Sequence, residues 1–403
     1  MADNKKSVLI LGGDGFTGWP LSLLLSKSDY DVTIVDNYER RRIDAEIGVE
    51  SLTQIRSLAE RLAAWTEVSG KTIASHTIDL KTDYAALLDL FANNNFDAVV
   101  HLAEQKSAPF SMKSAAHRRE TLNGNTSIMS NLLNAMVETG SKAHLVHLGT
   151  MGVYGYGTID AEIPEGYLDV KIETSEGEWE DKSILYPPSP GSIYHLTKCT
   201  DHLILAFYQK VFGLRCTDLH QGIVWGSQTD ETSMHPHLAN RLDYDSDYGT
   251  VLNRFIVQGA AGAPLTVYGS GGQTRAFIHI RDTIKCIKFA IDAAPSDEPR
   301  VRVFNQTAQC LNVRELAERV ARLTGSTVRS YENPRMELAE NDLRVKNAGL
   351  QSLGWEPLLL EDSLISELID EVRANKDRVV PGAIPPMTAW RKDMKVDRDG
   401  TEL

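Results

Sequence analysis

A glycine-rich turn near the start of the chain constrains the fold more than any other feature. Gly12, Gly15 and Gly18 lie in the segment GGDGFTG (residues 12–18), which follows the apolar run 8–11 and precedes a leucine-rich helical pattern. Glycines between a strand and a helix let the backbone turn tightly and let a pyrophosphate approach main-chain N–H groups. Because the strand and helix context that this motif requires is present, the glycine turn predicts a dinucleotide-binding site.

The end of the second apolar run bears on which dinucleotide is bound. Asp36 follows the run 32–35 and lies 18 residues after Gly18. A carboxylate at this place accepts hydrogen bonds from a ribose 2′-hydroxyl, which favours NAD over NADP. Arg40 and Arg41 follow closely and leave NADP open, because arginine also holds a 2′-phosphate. Asp79, at the end of the third run, either contacts the adenine amine or caps the next helix.

Short apolar runs alternate with helical stretches through the first half of the chain. The predicted strands are 8–11, 32–35, 73–78, 98–102, 144–148 and 214–219. Nearly all-apolar strands separated by helices indicate a parallel sheet covered on both faces. The predicted fold class is therefore α/β, with a Rossmann-type doubly wound sheet.

The pattern changes after about residue 225. An irregular stretch, 227–249, precedes short strands at 265–268, 301–305 and 327–331 and helices at 313–323 and 363–374. We predict a nucleotide-binding domain at 1–225, with returning segments near 250–262 and 276–293. A smaller, interleaved substrate-binding α/β domain is predicted at 226–390, and a charged tail at 391–403.

Composition excludes several classes of protein. The net charge of −13 repels phosphate backbones, so nucleic acid is not an expected partner. No apolar run approaches the roughly 18 residues that span a bilayer, so membrane insertion is not expected. Four cysteines make no disulfide framework, and the first residues carry no targeting pattern, so we expect a cytoplasmic protein. His235 and His237 have no third ligand at suitable spacing, so no metal site is predicted.

Tyr194 and Lys198 form a Y-x-x-x-K pair on a predicted helix. Residues i and i+4 share one helix face, so the phenol and the ammonium point into one pocket. A nearby cation favours the phenolate and makes Tyr194 a usable base for a sugar hydroxyl. Thr150, just after the fifth predicted strand, completes the set.

The glycine turn, Thr150 and the Tyr194/Lys198 pair occur in the order typical of the extended short-chain dehydrogenase/reductase superfamily, whose nucleotide-sugar branch this chain resembles. Sugar 4,6-dehydratases of that branch carry Asp and Glu after the threonine. Here Met151 and Gly152 follow, and neither transfers protons. An ordinary dehydratase is therefore not expected, whereas a 4-epimerase stays open on this feature alone.

Longer motifs resemble the UDP-sulfoquinovose synthase family, from about residue 7 to residue 390. They are GDGFTGW (13–19), ESLT (50–53), EQKSAPFSM (104–112), LGTMG (148–152), NRLDYD (240–245), LTVYG (265–269), GGQTR (271–275) and NPR (333–335). Two positions depart from the chloroplast branch, since Lys106 replaces an arginine and Val153 replaces a glutamate. Arginine and lysine bind oxyanions differently, so the departure at Lys106 bears on how sulfite is held.

The resemblance implies conversion of UDP-glucose and sulfite to UDP-6-sulfoquinovose, for sulfolipid head groups, with NAD retained. Tyr194 would take the C4 hydroxyl proton, Thr150 would bind the C4 oxygen, and Lys198 would hold the ribose. A 4-keto-glucose-5-ene would then accept sulfite at C6. His195 either moves protons or packs and contacts NAD, and Met151 shapes the pocket. A homodimer and a sulfite-donating protein partner are expected.

The predicted site residues form three overlapping sets. The catalytic set is Thr150, Met151, Tyr194, His195 and Lys198. The cofactor set is Gly12, Gly15, Phe16, Thr17, Gly18, Asp36, Asn37, Arg40, Arg41, Asp79, Leu80, Leu102, Ala103, Glu104, Asn125, Tyr194, Lys198 and Gln221. The substrate set is Gln105, Lys106, Thr150, Tyr194, Gln221, Arg241, Asn253, Thr266, Val267, Gln273, Arg275 and Arg335.

Two alternatives remain from the sequence. One is a UDP-glucose 4-epimerase or a related NAD-dependent enzyme acting on a nucleotide sugar. The other is a non-catalytic NAD-sensing protein of the same fold, against which the intact Thr150, Tyr194 and Lys198 argue.

Overall fold

Strands and helices alternate along the chain in the computed structural model, which describes residues 5–155, 162–296, 298–335, 340–341, 343–385, 388 and 390. The strands are β1 (Ser7–Leu11), β2 (Asp31–Asp36), β3 (Ala74–Thr77), β4 (Ala98–His101), β5 (His144–Thr150), β6 (Tyr167–Glu173), β7 (Trp179–Leu185), β8 (Cys216–Gln221), β9 (Ile223–Trp225), β10 (Leu265–Tyr268), β11 (Gly272–His279), β12 (Arg302–Gln306), β13 (Gln309–Asn312), β14 (Val328–Tyr331) and β15 (Glu340–Asn341). The helices are α1 (Gly18–Lys27), α2 (Glu39–Ile47), α3 (Leu58–Ser69), α4 (Tyr84–Asn93), α5 (Ala108–Met112), α6 (Ala115–Glu138), α7 (Ile193–Phe212), α8 (Val251–Ala260), α9 (Ile280–Asp292), α10 (Val313–Thr324), α11 (Ala348–Ser352) and α12 (Asp362–Ala374).

A parallel sheet of seven strands, in the order β12-β8-β5-β4-β1-β2-β3, forms the centre of the molecule. Both of its faces are covered. Val8 and Ile10 of β1 pack into one hydrophobic core, whereas Leu9 and Leu11 pack into another on the opposite face. Alternate residues of a strand point to opposite faces, so a strand covered on both sides must be apolar throughout. The predicted Rossmann-type α/β fold is confirmed.

Strand β12 corrects one part of the prediction. The run 301–305 was expected in the smaller lobe, but β12 pairs in parallel with β8 at the edge of the central sheet. Its adjacent residues Val303 and Phe304 pack into the cores on opposite faces of that sheet. The sequence separates this strand from β8 by the whole of the irregular stretch, and its local pattern carries no sign of that long-range pairing.

The smaller lobe is built around a third core, where α8, α10 and α12 pack together. Helix α8 was predicted to return to the first domain near 250–262, but it packs with α10 and α12. Leu252, Phe255 and Ile256 of α8 are fully buried in the third core, because they lie on the face turned to α10 and α12. Helix α9, in contrast, packs against α1, and Ile284 and Ile287 belong to a core of the central sheet.

The irregular stretch 227–249 lies against residues that follow α2. The main-chain N–H of Leu52 donates to the carbonyl of Leu242 at 3.0 Å, and the N–H of Leu242 donates to Ser51 Oγ at 3.0 Å. Thr53 Oγ1 donates to the carbonyl of Asn240. These contacts place residues 240–248 across the carboxyl edge of the central sheet.

The boundaries predicted for the domains stay predictions, and the predicted charged tail, 391–403, lies outside the described residues. None of the described helices combines the length and the apolar character needed to cross a bilayer.

Candidate active site

The glycine turn has room only for glycine at two of its positions. Gly12 has φ +86°, and a Cβ built on it would lie 2.9 Å from the carbonyl carbon of Leu102. A Cβ on Gly18 would lie 2.1 Å from the carbonyl oxygen of Gly12. The turn therefore brings bare backbone to the carboxyl edge of the sheet, where α1 begins, which is the form of a pyrophosphate cradle.

A cavity opens between the glycine turn and the ends of the neighbouring strands, and we call it the glycine-loop cavity. It contains most of the residues predicted for a cofactor: Gly12, Gly15, Phe16, Thr17, Gly18, Asp36, Asn37, Arg40, Leu80, Leu102, Ala103, Glu104, Tyr194, Lys198 and Gln221. Arg41, Asp79 and Asn125 are not among its lining residues. The glycine turn and the carboxylate at the end of β2 are thus placed as a Rossmann fold places them to bind a dinucleotide.

Asp36 is held at the end of β2 by two main-chain donors. The N–H groups of Asp14 and Tyr38 donate to its two carboxylate oxygens at 2.9 and 2.7 Å. Burial, the largest cause, raises the pKa of Asp36, although these two hydrogen bonds oppose the rise. The carboxylate lines the cavity with acceptor capacity left for a ribose hydroxyl.

The two arginines after β2 already have carboxylate partners. Arg41 Nε lies 2.6 Å from Asp14 Oδ2, and the predicted cofactor role of Arg41 stays a prediction. Arg40 ion-pairs with Asp44 and lies 3.1 Å from Asp243. Guanidinium groups neutralised in this way are poorly placed to bind a 2′-phosphate, which favours NAD.

Two further predicted cofactor residues serve local structure instead. Asp79 Oδ1 accepts from the N–H of Lys81 at 2.9 Å, which stabilises the turn before α4. Asn125 bonds both main-chain groups of Gln105 and donates to Thr197 Oγ1 at 3.0 Å. Asn125 therefore ties α6 and α7 to the loop after β4, and the cofactor roles of both residues stay predictions.

Tyr194 and Lys198 lie one turn apart on α7 and both line the glycine-loop cavity. Ser192 caps this helix by accepting from the N–H of His195 at 3.2 Å. The hydroxyl of Thr150, at the end of β5, accepts from the N–H of Gly152 at 3.1 Å, which leaves its own hydrogen to donate. The structure brings the three residues to one edge of the sheet, as their order predicted.

Lys198 is a buried cation with a buried counter-ion. Its Nζ lies 2.8 Å from Glu104 Oε2, 3.6 Å from Asp201 Oδ2 and 3.2 Å from His147 Nε2. Burial opposes the charge, but the Glu104 carboxylate holds the pKa of Lys198 above its ordinary value. Lys198 is therefore charged at neutral pH.

A second cavity lies between the two lobes, and we call it the interlobe cavity. It is lined by the predicted residues Lys106, Thr150, Met151, Tyr194, His195, Gln221, Thr266, Gln273, Arg275 and Arg335. Tyr194, Lys106 and Gln221 are among the residues that line both cavities, so the two spaces adjoin at these residues. Gln273 Nε2 is a buried donor for which the described residues offer no hydrogen-bond partner.

His195 is buried against the turn after Thr150. A Cβ built on Gly152 would lie 2.3 Å from His195 Cδ2, so the imidazole fills the space that a side chain at position 152 would need. Burial lowers the pKa of His195 to about 3, and Arg335 and Arg275 add to the shift. The ring is neutral at pH 7, so it does not supply an imidazolium as a general acid.

Four residues predicted for the substrate lie elsewhere. Val267 is buried in the third core, because on β10 it alternates with Thr266 and Tyr268, which face the cavity. Asn253 Oδ1 accepts from the N–H of Gly226 at 3.0 Å, and Asn253 lines neither cavity. Neither Asn253 nor Val267 is among the residues that line the two cavities, and their roles in substrate binding stay predictions.

Arg241 and Gln105 line the glycine-loop cavity and not the interlobe cavity. Arg241 is bound by Asp44 at 2.7 Å and by Asp243 at 3.2 Å, so its charge is already neutralised. Gln105 Nε2 donates to the carbonyl of Ser107 at 3.0 Å, which shapes the loop after β4. Both residues were predicted to contact the substrate, and neither is among the residues that line the interlobe cavity.

Several residues of the site were missed. Asp247, Tyr248 and Arg254 line the interlobe cavity, and Tyr248 lines both. They come from the stretch 227–260, whose sequence lacks a period from which side-chain direction could be predicted. His147 and Asp218, behind Lys198, had a usable signal, since both are ionisable residues within strands of the central sheet.

The chain resembles known proteins over nearly its full length. The model of the NAD dependent epimerase/dehydratase family matches residues 8–305. A chloroplastic UDP-sulfoquinovose synthase of Spinacia oleracea is 43% identical over 394 residues, covering 96% of this chain and 80% of that protein. A UDP-sulfoquinovose synthase of Sulfolobus acidocaldarius is 35% identical over 398 residues, covering 97% and 99%.

Solved structures agree on the fold. The UDP-glucuronic acid 4-epimerase of Bacillus cereus, in complex with UDP-glucuronic acid and NAD, superposes with a TM-score of 0.63 at 19% identity. The match covers 92% of this chain and 98% of that one.

Proposed function

The chain belongs to the NAD dependent epimerase/dehydratase family and, within it, to the UDP-sulfoquinovose synthases, and from this premise we propose how its two cavities act on UDP-glucose and sulfite. NAD is the cofactor of this enzyme. The glycine turn would hold its pyrophosphate, Asp36 its adenosine ribose, and Lys198 its nicotinamide ribose.

Tyr194 is the proposed base at C4 of the hexose. Bound NAD supplies a reversible hydride acceptor for C4. The Lys198 ammonium favours the phenolate of Tyr194, which takes the C4 hydroxyl proton and later returns it. Thr150 would donate its hydroxyl hydrogen to the C4 oxygen. One observation carries this assignment: the two cavities meet at Tyr194.

The turn after Thr150 suits sulfite addition better than ordinary dehydration. Met151 and Gly152 follow Thr150, so no carboxylate stands there. Met151 lines the interlobe cavity, and the ring of His195 occupies the space that a side chain at position 152 would need. In the proposed reaction the C5 proton is removed as the C6–O bond breaks, and the proton and the hydroxyl leave together as water. The sulfur lone pair of sulfite then forms the C6–S bond, C5 takes up a proton, and C4 regains its hydride and its starting oxidation state. Met151 and Gly152 offer no carboxylate that could activate water against an electrophilic C6.

Lys106 is the proposed sulfite-binding cation. Its side chain is 45% exposed, its Nζ lies 3.7 Å from Asp243 Oδ2, and it lines both cavities beside the phenol. A lysine is a compact point charge on a flexible stem, which suits a small mobile oxyanion.

The UDP moiety is assigned to the far side of the interlobe cavity. Arg275 is 5% exposed, and the Arg335 guanidinium lies over the rings of Tyr268 and Trp390. Arginine forks match phosphate oxygens, and the unpartnered Gln273 amide would donate to the nucleotide.

Product analysis tests the proposed reaction. The purified holoenzyme is incubated with UDP-glucose, with and without sulfite, and the products are identified by mass spectrometry. We expect UDP-sulfoquinovose only with sulfite and none with Tyr194→Phe. Tyr208→Phe, on the same helix but bonded to Asn134 and outside both cavities, is the control. Formation of UDP-galactose without sulfite would instead indicate an epimerase.

We also propose a homodimer through α6 and α7. Leu203, Phe207 and Val211 form a stripe along α7, each more than half exposed at 55%, 56% and 53%. Leu122 of α6, which packs beside α7, is exposed as well. Light scattering of the wild type and of Phe207→Glu tests this, with a dimer and a monomer expected; a monomeric wild type contradicts it. The predicted sulfite-donating partner and cytoplasmic location stay predictions.

A further inference from the structure

Polar side chains interrupt the apolar strands directly behind Lys198. They are His101 on β4, His147 on β5, Asp218 and His220 on β8, and Asp201 and His202 on α7. Each is at most 4% exposed. Burial of such groups is costly unless they are paired, so their hydrogen bonds should form a consistent set.

The protonation of His220 follows from the bonds around Tyr154. Both N–H groups of Asn305 Nδ2 donate to main-chain carbonyls, so Asn305 Oδ1 is free to accept from Tyr154 Oη at 2.8 Å. The Tyr154 oxygen accepts from the N–H of Gly166 at 2.9 Å and faces His220 Nδ1 at 2.6 Å. Since the phenol hydrogen is committed to Asn305, His220 Nδ1 must be the donor.

His220 also reaches Asp218. Its Nε2 lies 3.1 Å from Asp218 Oδ2. His202 Nδ1 also contacts Asp218 Oδ2, at 2.8 Å. Burial opposes ionisation, but His220, His147 and His202 hold the pKa of Asp218 well below its usual range.

Asp218 also fixes the tautomer of His147. Asp218 Oδ1 lies 3.4 Å from His147 Nδ1, and Lys198 Nζ lies 3.2 Å from His147 Nε2. An ammonium only donates, so Nε2 must accept and the proton lies on Nδ1. Burial lowers the pKa of His147 to about 3, against the influence of Asp218, so the ring is neutral.

The charges of the network balance. Lys198 pairs with Glu104, whose other oxygen lies 2.8 Å from His101 Nε2. Burial and the neighbouring Glu104 raise the pKa of Asp201 well above its usual range, so Asp201 is neutral. The groups that face Lys198 are Tyr194 and Asp201 on α7, Glu104 after β4 and His147 on β5; those that face His147 also include Asp218 on β8 and His101 on β4.

The same geometry explains why we do not assign a metal to these residues. His202, Asp218 and His220 have ligand-type atoms within 4.8 Å of one another, as do Glu104, His147 and Asp201. In the first group these atoms already bond one another, and in the second they face the Lys198 ammonium.

We propose that His147 is a positioning residue for the reaction: its Nε2, presented in one tautomer by Asp218, fixes the Lys198 ammonium beside Tyr194 at the wall of the glycine-loop cavity. This inference rests on the proposed role of Lys198 at C4. It adds that the cation is held from behind by a neutral acceptor as well as by a carboxylate.

Nitrogen NMR of the holoenzyme labelled in histidine tests the inference without any turnover. We expect His147 to be neutral with its proton on Nδ1 between pH 6 and 9. Resonances are assigned by loss in single variants. A proton on His147 Nε2 would overturn the inference, because that nitrogen could not accept from Lys198.

Three variants test the consequence for the first chemical step, which is followed as the absorbance of reduced bound cofactor after UDP-glucose is added without sulfite. His147→Leu should slow the step about 10- to 100-fold, as expected when a reacting group is misplaced by about 1 Å. The pH at which this variant reaches half of its maximal rate should also rise by half a unit or more. His147→Gln, whose Oε1 accepts from Lys198, should recover most of the rate.

His202→Gln is the matched control. His202 is also buried and contacts the same Asp218, but it does not reach Lys198. It should leave the pH profile unchanged. Equal, unshifted profiles for His147→Leu and His202→Gln would show a merely structural role and overturn the inference. Failure of the proposed function is distinguishable, because a wild type that oxidises C4 but never incorporates sulfite leaves these results intact.

Discussion

The ammonium of Lys198 lies 2.8 Å from the carboxylate of Glu104, and both groups are almost fully buried at the wall of the glycine-loop cavity. The pair holds a permanent cation beside Tyr194 without leaving an uncompensated charge in the interior.

Glu104→Gln should be strongly destabilising, because it leaves Lys198 buried without its main counter-ion. We expect the free energy of unfolding to fall by about 3–5 kcal/mol in urea titrations, as is usual when one partner of a buried ion pair is removed. Glu367→Gln is the control, since Glu367 is 57% exposed in its 2.9 Å pair with Arg281. That variant should cost less than about 1 kcal/mol. Equal losses in the two variants would show that the Lys198 pair is not a buried one.

Gly18→Ala should remove the bound cofactor. The new Cβ would lie 2.1 Å from the carbonyl oxygen of Gly12, and backbone does not yield as a flexible side chain does. We expect purified Gly18→Ala to carry little or no NAD, measured by release and enzymatic assay after denaturation. Gly382→Ala, with no atom within 4 Å of its Cβ, should retain it. NAD at the wild-type level in Gly18→Ala would refute the pyrophosphate cradle.

Local motifs made the first part of the site predictable from the sequence. The glycine turn and the Tyr194/Lys198 pair each lie within one turn or one helix, so spacing alone places their side chains. The directions of the Val267 and Asn253 side chains could not be predicted, because they depend on the core against which β10 and α8 pack. The ion pair of Arg41 could not be predicted either, because the position of its partner, Asp14, is set by the folding of the glycine turn against α2.

Long-range strand pairing accounts for most of the features of the fold that could not be predicted from the sequence. Strand β12 joins the central sheet about 80 residues after β8, and its five residues carry no sign of that partner. The network behind Lys198 was visible as polar residues in apolar strands, but its meaning required the register that places His147 opposite Asp218.

Stability should fall in acid below about pH 6.5. Burial, with nearby Arg215, lowers the pKa of His144 from 6.5 to about 3. Between these values the unfolded chain binds a proton that the folded chain does not, so stability is full above pH 6.5 and is lost as the pH falls. One such histidine gives a slope of about 1.4 kcal/mol per pH unit.

His144→Gln should reduce that slope by the same amount between pH 4 and 6, in urea unfolding at each pH. His76→Gln is the control, because His76 is exposed at the edge of the sheet. An unchanged slope in His144→Gln would mean that this histidine is protonated in the folded protein.

Lys106→Ala should weaken the response to sulfite and leave the first step intact. If Lys106 binds the oxyanion, the KM for sulfite should rise about tenfold or more, since the loss of a charged hydrogen bond costs about 1.5–3 kcal/mol. The reduction of bound cofactor by UDP-glucose alone should stay within about twofold of the wild type, because Tyr194 and Lys198 are untouched.

Lys113→Ala is the matched control for Lys106→Ala. Lys113 pairs with Asp247 at 2.8 Å and lines neither cavity. A sulfite KM that rises equally in both variants would assign the effect to the loop around α5 and not to Lys106.

Deuterium at C4 of the sugar reports whether one tightly bound cofactor molecule removes and returns the same hydride. UDP-[4-²H]glucose and sulfite are converted by the holoenzyme in the presence of excess unlabelled NADH, and the product is examined by NMR. We predict UDP-sulfoquinovose that carries its sulfonate at C6 and keeps nearly all of the deuterium at C4. A product that has lost this deuterium to the solution pool, or UDP-galactose in place of a sulfonated sugar, would contradict the mechanism.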